Sequence, residues 1–215
     1  MNRTLLAAAV VVLAAAWWWT KDEDEPSGDA LPGVLEDAVE AVDAITGGVM
    51  KLSAMGRVSR AVLSDRNVQA FLRVIRRGEG TQDEGGYRRL FGGGTFTSFA
   101  DHPRVVVQRF GKGGTLYKSS AAGAYQFLEG TWDETSRAMG LEDFSPANQD
   151  FGAVGRIAAR GALADVIAGR LEEAIRKCAK EWASMPYSPY GQPVISMATA
   201  RSVFFSAGGY EVEAA

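Results

Sequence analysis

The sequence predicts an α+β fold, mostly helical with a small antiparallel sheet, preceded by an N-terminal hydrophobic helix and a helical spacer. Three observations predict it. Apolar residues recur at helical spacing just after Asp65 and through most of the chain beyond Gln126. Between these stretches, Gly85 to Arg109 is rich in glycine, aromatic and Thr/Val residues, with a short run that alternates at period two. Ahead of everything stands an unbroken apolar run at the N-terminus. Helix, small sheet, then several helices is the α+β order.

The apolar run is Leu5 to Trp19, closed by Thr20 and the cluster Lys21-Asp22-Glu23-Asp24-Glu25. As a helix it spans about 22 Å, short of the roughly 30 Å of a bilayer core. With Trp17, Trp18 and Trp19 at an interface, a thinned bilayer holds it. Leu5–Ala16 also fits the apolar part of a secretory signal, with Ala14-Ala15-Ala16 as a cleavage pattern. Residues 1–20 are therefore read as a signal-anchor or transmembrane segment, with a cleaved signal or a buried core helix as alternatives. Arg3 marks the retained end, so the acidic side is the exported one.

Residues 21–64 read as an acidic linker and amphipathic helical spacer. Pro26 to Gly33 is a linker by composition. Leu35, Val39, Val42 and Ile45 have helical spacing that ends at Gly47-Gly48, and Val49–Leu63 carries Met50, Leu52, Met55, Val58 and Val62. These pieces form a spacer hairpin or an oligomerisation segment.

Residues 65–215 form the main domain. Asp65 is a suitable N-cap for a helix whose face carries Val68, Phe71, Leu72 and Ile75 and which stops at Gly78-Glu79-Gly80. Thr95–Phe99 alternates and reads as a hairpin strand. Further helices are expected near 126–139, 146–160, 162–168, 171–184 and 195–206, one of them opened by Asp143-Phe144-Ser145-Pro146 as an N-cap with Pro in the first turn.

Composition narrows the chemistry. The 215 residues include one cysteine, Cys178, and one histidine, His102, so neither an internal disulfide nor a Cys/His zinc cluster can be assembled. No metal or other cofactor is expected. His102 lies in Asp101-His102-Pro103 and reads as a turn residue oriented by Asp101, while Cys178, Trp132 and Trp182 read as core. Net charge is −3, yet residues 65–118 carry 10 basic against 5 acidic side chains. That imbalance suits an anionic polymer or an ordinary Arg-rich surface. No nucleic-acid motif is present, Gly92-Gly93-Gly94 lacks the Lys-Ser/Thr of a phosphate loop, and nothing marks an obligatory protein partner.

Carboxylates remain, and Glu79 is the best placed. A glutamate at the end of an amphipathic helix, between glycines that allow a sharp exit, can project into a cleft. An apolar wall there disfavours the ionised form and keeps the proton on near neutrality, as a general acid for glycosidic cleavage requires.

Several strings around it occur in one order: Arg77-Gly78-Glu79-Gly80-Thr81, Phe96-Thr97 with Ala100-Asp101-His102-Pro103-Arg104, Ala122-Gly123-Ala124-Tyr125-Gln126, Phe144-Ser145-Pro146 with Gln149-Asp150, Arg160-Gly161-Ala162-Leu163, Trp182-Ala183-Ser184-Met185-Pro186 and Tyr190-Gly191-Gln192. In register over roughly 66–213, they resemble the lambda-type phage endolysins, which are lytic transglycosylases.

The resemblance implies a lysozyme-like fold and cleavage of the β-1,4 bond between N-acetylmuramic acid and N-acetylglucosamine in peptidoglycan. It implies that Glu79 is the lone catalytic acid/base, with capture of the cleaved centre by the sugar's own C6 hydroxyl to give a 1,6-anhydro product. Tyr125 and Gln126 match a turn that lines the cleft in that family, and Tyr190 and Gln192 match a flap that closes over substrate. The implied partner is the glycan strand of peptidoglycan. Together with the N-terminal segment, the expected location is the host inner membrane with the catalytic domain in the periplasm; secretion after cleavage, or residence in the virion, are the alternatives.

Two-carboxylate glycosidases need a second Asp or Glu roughly 5–9.5 Å from the first. In the phage muramidase pattern an Asp and a Thr would fall where this sequence has Arg88 and Gly94. Asp83 and Glu84, in the glycine-rich loop, are the candidates for a hydrolytic alternative. A virion structural or wall-binding protein without turnover is the reading from another class.

Overall fold

Asp65 opens the central helix by accepting a hydrogen bond from the Val68 amide at 3.0 Å, so the expected cap is formed. The structure, a computed structural model, describes residues 46–110 and 116–211. The stretch Leu5–Trp19 and the spacing Leu35–Ile45 lie outside them. The described elements are a helix over 46–56 (α1), α2 (Arg66–Gly78), strands β1 (Val107–Phe110) and β2 (Leu116–Ser119), α3 (Glu129–Met139), α4 (Pro146–Ala159), α5 (Leu163–Ile167), α6 (Leu171–Cys178) and α7 (Met197–Ser206). Short 3-10 turns at Arg60–Ser64, Glu84–Arg88 and Phe91–Gly93 flank and follow α2.

The α+β class holds, with the helices dominant and the sheet reduced to one antiparallel pair in the register Val107↔Ser119 to Phe110↔Leu116. The sheet is not where alternation placed it. Thr95–Phe99 contributes only a single bridge, Thr95 to Arg89, and the segment is otherwise irregular. Phe96 is buried and Phe99 half-buried because they join an aromatic cluster around Phe144, edge to face at 5.6 Å from one another. Arg88 lies 3.9 Å over the Phe99 ring and donates to the Thr97 carbonyl. Apolar burial, not strand pairing, produced the period-two pattern.

Two helix expectations also shift. Helix α3 starts at Glu129, because the turn 122–127 closes on itself through paired Ala122 and Phe127 amides and carbonyls and leaves Gln126 at φ 48°. Helix α6 stops at Cys178 rather than 184, and 179–186 continues as tight turns. Gly47-Gly48 lies within helical turns instead of ending them.

Helix α2 is the hub: Val68, Phe71, Val74 and Ile75 are fully buried, and α4, α5 and α7 pack against it. A second layer is aromatic, with Trp132 and Phe144 at 4.6 Å and Phe127 beside both. Burying such side chains contributes about 1.5–3 kcal/mol each. The chain before α2 packs onto this body: Met55 is fully buried, and Arg60 stacks 4.5 Å from the Phe151 ring centroid while donating to Asn148.

His102 is buried and structural. Its Nε2 pairs with the Phe127 carbonyl at 2.9 Å and its Nδ1 accepts from the Arg104 amide at 3.2 Å. Burial holds its pKa below the usual value. Asp101 binds the His102 amide and the Arg104 guanidinium, so it orients the turn rather than the imidazole ring. Cys178, Trp132 and Trp182 are all buried, as core residues should be.

Candidate active site

Glu79 is the C-cap of α2. The helix ends in a Schellman arrangement: the Thr81 amide bonds to the Arg76 carbonyl at 2.9 Å and the Gly80 amide to the Arg77 carbonyl at 3.4 Å. That closure needs a left-handed residue after the cap, and Gly80 supplies it at φ 67°. The turn is then anchored outwards. Buried Thr81 donates to the Ala124 carbonyl at 2.5 Å, and buried Arg76 donates to the Thr81 and Asp83 carbonyls. Glu79 is thereby thrown off the helix end onto the chain at 182–185.

Its carboxyl meets the Ser184 hydroxyl there, which donates to Oε1 at 2.6 Å. Gly78 makes the approach possible, since a Cβ at that position would stand 2.5 Å from Ser184 Oγ. Withdrawal from water pushes the Glu79 pKa from 4.5 up to about 7, and the Ser184 hydrogen bond opposes part of that rise. The negative end of the α2 dipole acts in the same direction as burial. At neutral pH the group is poised between acid and base.

The turn that carries Tyr125 and Gln126 packs directly beside this cap, through Thr81 to Ala124 and through Trp182 Nε1 to the Tyr125 carbonyl at 3.2 Å. Tyr125 itself is only 2% exposed, and its hydroxyl donates to Asp150 at 2.6 Å. Tyr87 donates to the same carboxylate oxygen at 2.8 Å and is stacked on Arg76. In this conformation Tyr125 shapes the turn from beneath and offers almost no surface. Gln126 is partly buried, with its amide donating to the Gly123 and Arg89 carbonyls.

The segment 186–195 returns to the site: the Ile195 amide bonds to the Ser184 carbonyl at 2.9 Å. Within it Tyr190 donates to the Lys180 carbonyl at 3.2 Å. Gln192 is 8% exposed, and both of its amide atoms lack a partner among the described residues. A buried, unsatisfied amide is costly unless a further polar group meets it. Asp83 lies outside this cluster, exposed and paired with Arg89 at 2.7 Å, and Glu84 is exposed.

Sequence reasoning missed Ser184, Gln149 and Asp150 as parts of the site's frame. Gln149 is fully buried: its Oε1 accepts the Ala124 amide at 2.8 Å, and its Nε2 donates to the Tyr87 and Phe144 carbonyls. All three sit in strings quoted for the resemblance, but no local pattern separates them from ordinary polar residues. Among the described residues no His, Cys, Asp and Glu cluster is arranged to hold a metal ion.

Comparison with known proteins gives a consistent picture. An endolysin family model matches residues 69–211. An endolysin of Escherichia phage lambda is 41% identical over 131 residues, covering 58% of this chain and 80% of the relative. An endolysin of Escherichia phage P2 is 37% identical over 160 residues, covering 67% and 94%. Among solved structures, the lysozyme of bacteriophage lambda complexed with a chitohexasaccharide superposes with a TM-score of 0.63 at 36% identity, covering 68% of this chain and 97% of its own.

Proposed function

The chain belongs to the endolysin family of phage wall-degrading enzymes with a lysozyme-like fold, and from that premise we propose that it is a peptidoglycan lytic transglycosylase. Glu79, protonated, gives its proton to the oxygen bridging N-acetylmuramic acid and N-acetylglucosamine as the glycosidic bond breaks. The resulting carboxylate takes the proton from the muramic C6 hydroxyl, whose oxygen closes on C1. Atoms balance without water, and the product is the 1,6-anhydro sugar. One carboxyl serves as acid and then base, which suits a pKa near neutrality.

The observation that carries this reading is the carboxyl of Glu79, largely withdrawn from water and, among the described residues, touched by one neutral hydroxyl. The positions of Asp83 and Glu84, one exposed and paired with Arg89 and the other exposed, support a one-carboxylate route over hydrolysis. A glycan as substrate is supported by the chitohexasaccharide bound in the related lambda lysozyme. Gln126, Tyr190 and Gln192 are proposed to form the sugar-binding surface, Gln192 through its unpaired amide, with Tyr125 supporting the turn that carries Gln126.

Export is part of the proposal. Among the described residues no helix is long and apolar enough to cross a membrane. The reading of Leu5–Trp19 as a signal-anchor, with the domain in the periplasm, rests on the sequence of that run. Fractionation of the full-length protein checks it: membrane or periplasmic recovery is expected, and purely cytoplasmic material overturns it. The chemistry is tested by digesting purified sacculi and weighing the fragments. Muropeptides one water lighter than hydrolysis products are expected; fragments of hydrolytic mass would mean a muramidase.

A further inference from the structure

We propose that Ser184 is a positioning residue for Glu79, selecting which carboxyl oxygen carries the transferable proton and linking that choice to the 185–194 loop. The inference rests on the reading of Glu79 as the catalytic acid. A neutral carboxylic acid has one carbonyl oxygen and one hydroxyl oxygen. Ser184 donates to Oε1 at 2.6 Å, so Oε1 is the acceptor oxygen and the proton belongs on Oε2. The hydroxyl thus turns a carboxyl that could present either oxygen into one that presents Oε2 to the glycosidic oxygen.

Two further contacts make this a built arrangement. A side chain at position 78 would displace the hydroxyl, since its Cβ would fall 2.5 Å from Ser184 Oγ. The Ser184 carbonyl accepts the Ile195 amide at 2.9 Å, pinching the intervening loop closed at the residue that orients the acid. That loop carries Gln192, whose buried amide has no partner among the described residues. A glycan that engages Gln192 therefore acts on a loop whose base is the hydrogen-bond donor to Glu79.

The charged groups around Glu79 are directed elsewhere. On its own helix, Arg77 is exposed and Arg76 donates to the Thr81 and Asp83 carbonyls. In the loop after the helix, Asp83 pairs with Arg89. On the segments packed against it, Asp150 accepts from Tyr87 and Tyr125, and Glu181 is paired with Arg156 and Arg160. Among the described residues Ser184 is left as the polar side chain that sets the carboxyl.

The test is the pH profile of peptidoglycan cleavage by the full-length protein carrying Ser184→Ala, Ser184→Thr or Gly78→Ala. Ser184→Ala is expected to lower kcat on the order of tenfold to a hundredfold with KM little changed. Its alkaline limb should move up by about one pH unit, because a donor to the ionised form is gone. Ser184→Thr, which keeps the hydroxyl, should restore the parental profile. Gly78→Ala should reproduce the alanine profile with the serine intact, and the double variant should be no worse than either alone. A Ser184→Ala enzyme with unchanged kcat and alkaline limb overturns the positioning role while Glu79→Gln remains inactive. An active Glu79→Gln enzyme instead overturns the catalytic reading beneath it.

Discussion

Glu79 and Glu181 are both largely, though not wholly, withdrawn from water in one domain, and they end in opposite states. Among the described residues Glu79 meets one neutral hydroxyl, and burial lifts its pKa to about 7. Glu181, with a side chain 8% exposed, also suffers burial, but Arg156 at 2.6 Å and Arg160 at 2.7 Å hold it below the usual carboxylate value. Arg156 in turn pairs with Glu134 at 2.6 Å, so this network is a strut between α3, α4 and the chain after α6. Depth does not decide what a buried glutamate does; its neighbours do. A guanidinium makes it an anchor, whereas a hydroxyl in a dry setting leaves its proton available.

The contrast breaks most visibly in activity. Glu79→Gln keeps shape and burial but cannot donate a proton, and cleavage of sacculi should fall by about a thousandfold or more. Turbidity loss of purified wall, measured beside an unchanged circular dichroism spectrum, checks it. The next largest effect lies at the other glutamate. Arg156→Met leaves a buried carboxylate with half its support and should cost about 3 kcal/mol in chemical denaturation. Specific activity of the remaining folded enzyme should stay close to parental, since that network does not touch Glu79.

A pH series sharpens the comparison because the two groups have opposite signs. The folded-state pKa of Glu79 lies above the unfolded 4.5, so the folded protein holds more protons between 4.5 and about 7. Its contribution to stability is therefore intact below 4.5 and is lost as pH rises through that window. Allowing for its partial exposure, the loss is about 2 kcal/mol. Glu79→Gln should accordingly be more stable than the parent at pH 8 by that amount and no more stable at pH 4. Glu181 is depressed, so its contribution is present above 4.5 and disappears only as pH falls through its lower folded value. Denaturation midpoints across pH 3 to 8 measure both.

Much of this was legible because the signals are local. Asp65 and the Gly-Glu-Gly stop mark helix ends through caps that involve only neighbouring residues, and Pro146 marks the start of α4 through its fixed φ, the Ser145 side chain making no cap bond. The strand was misplaced because Phe96 is buried and Phe99 half-buried by aromatic packing, whereas the real hairpin displays Phe110 and Leu116 to solvent, the former 74% exposed, and sets only Val107 against the core. Glu79 could be singled out from its turn. Its partner Ser184 lies 105 residues away and is set by tertiary packing, which no spacing rule reaches. Gln149, an ordinary amide in sequence, becomes a buried tie among three segments only when they meet.

The smallest expected effect tests the frame. Tyr125→Phe removes one of two hydroxyls from Asp150 and should cost about 1 kcal/mol in stability. KM for glycan should barely change if the phenol acts from beneath the turn, and a large rise in KM would mean that it reaches substrate.

The most direct measurement is titration of the Glu79 carboxyl carbon by NMR in the folded protein, assigned by its loss in Glu79→Gln. The account predicts a midpoint close to 7. A midpoint at the ordinary 4.5 would contradict it, for the side chain would then be a carboxylate at every pH at which the enzyme must act as an acid.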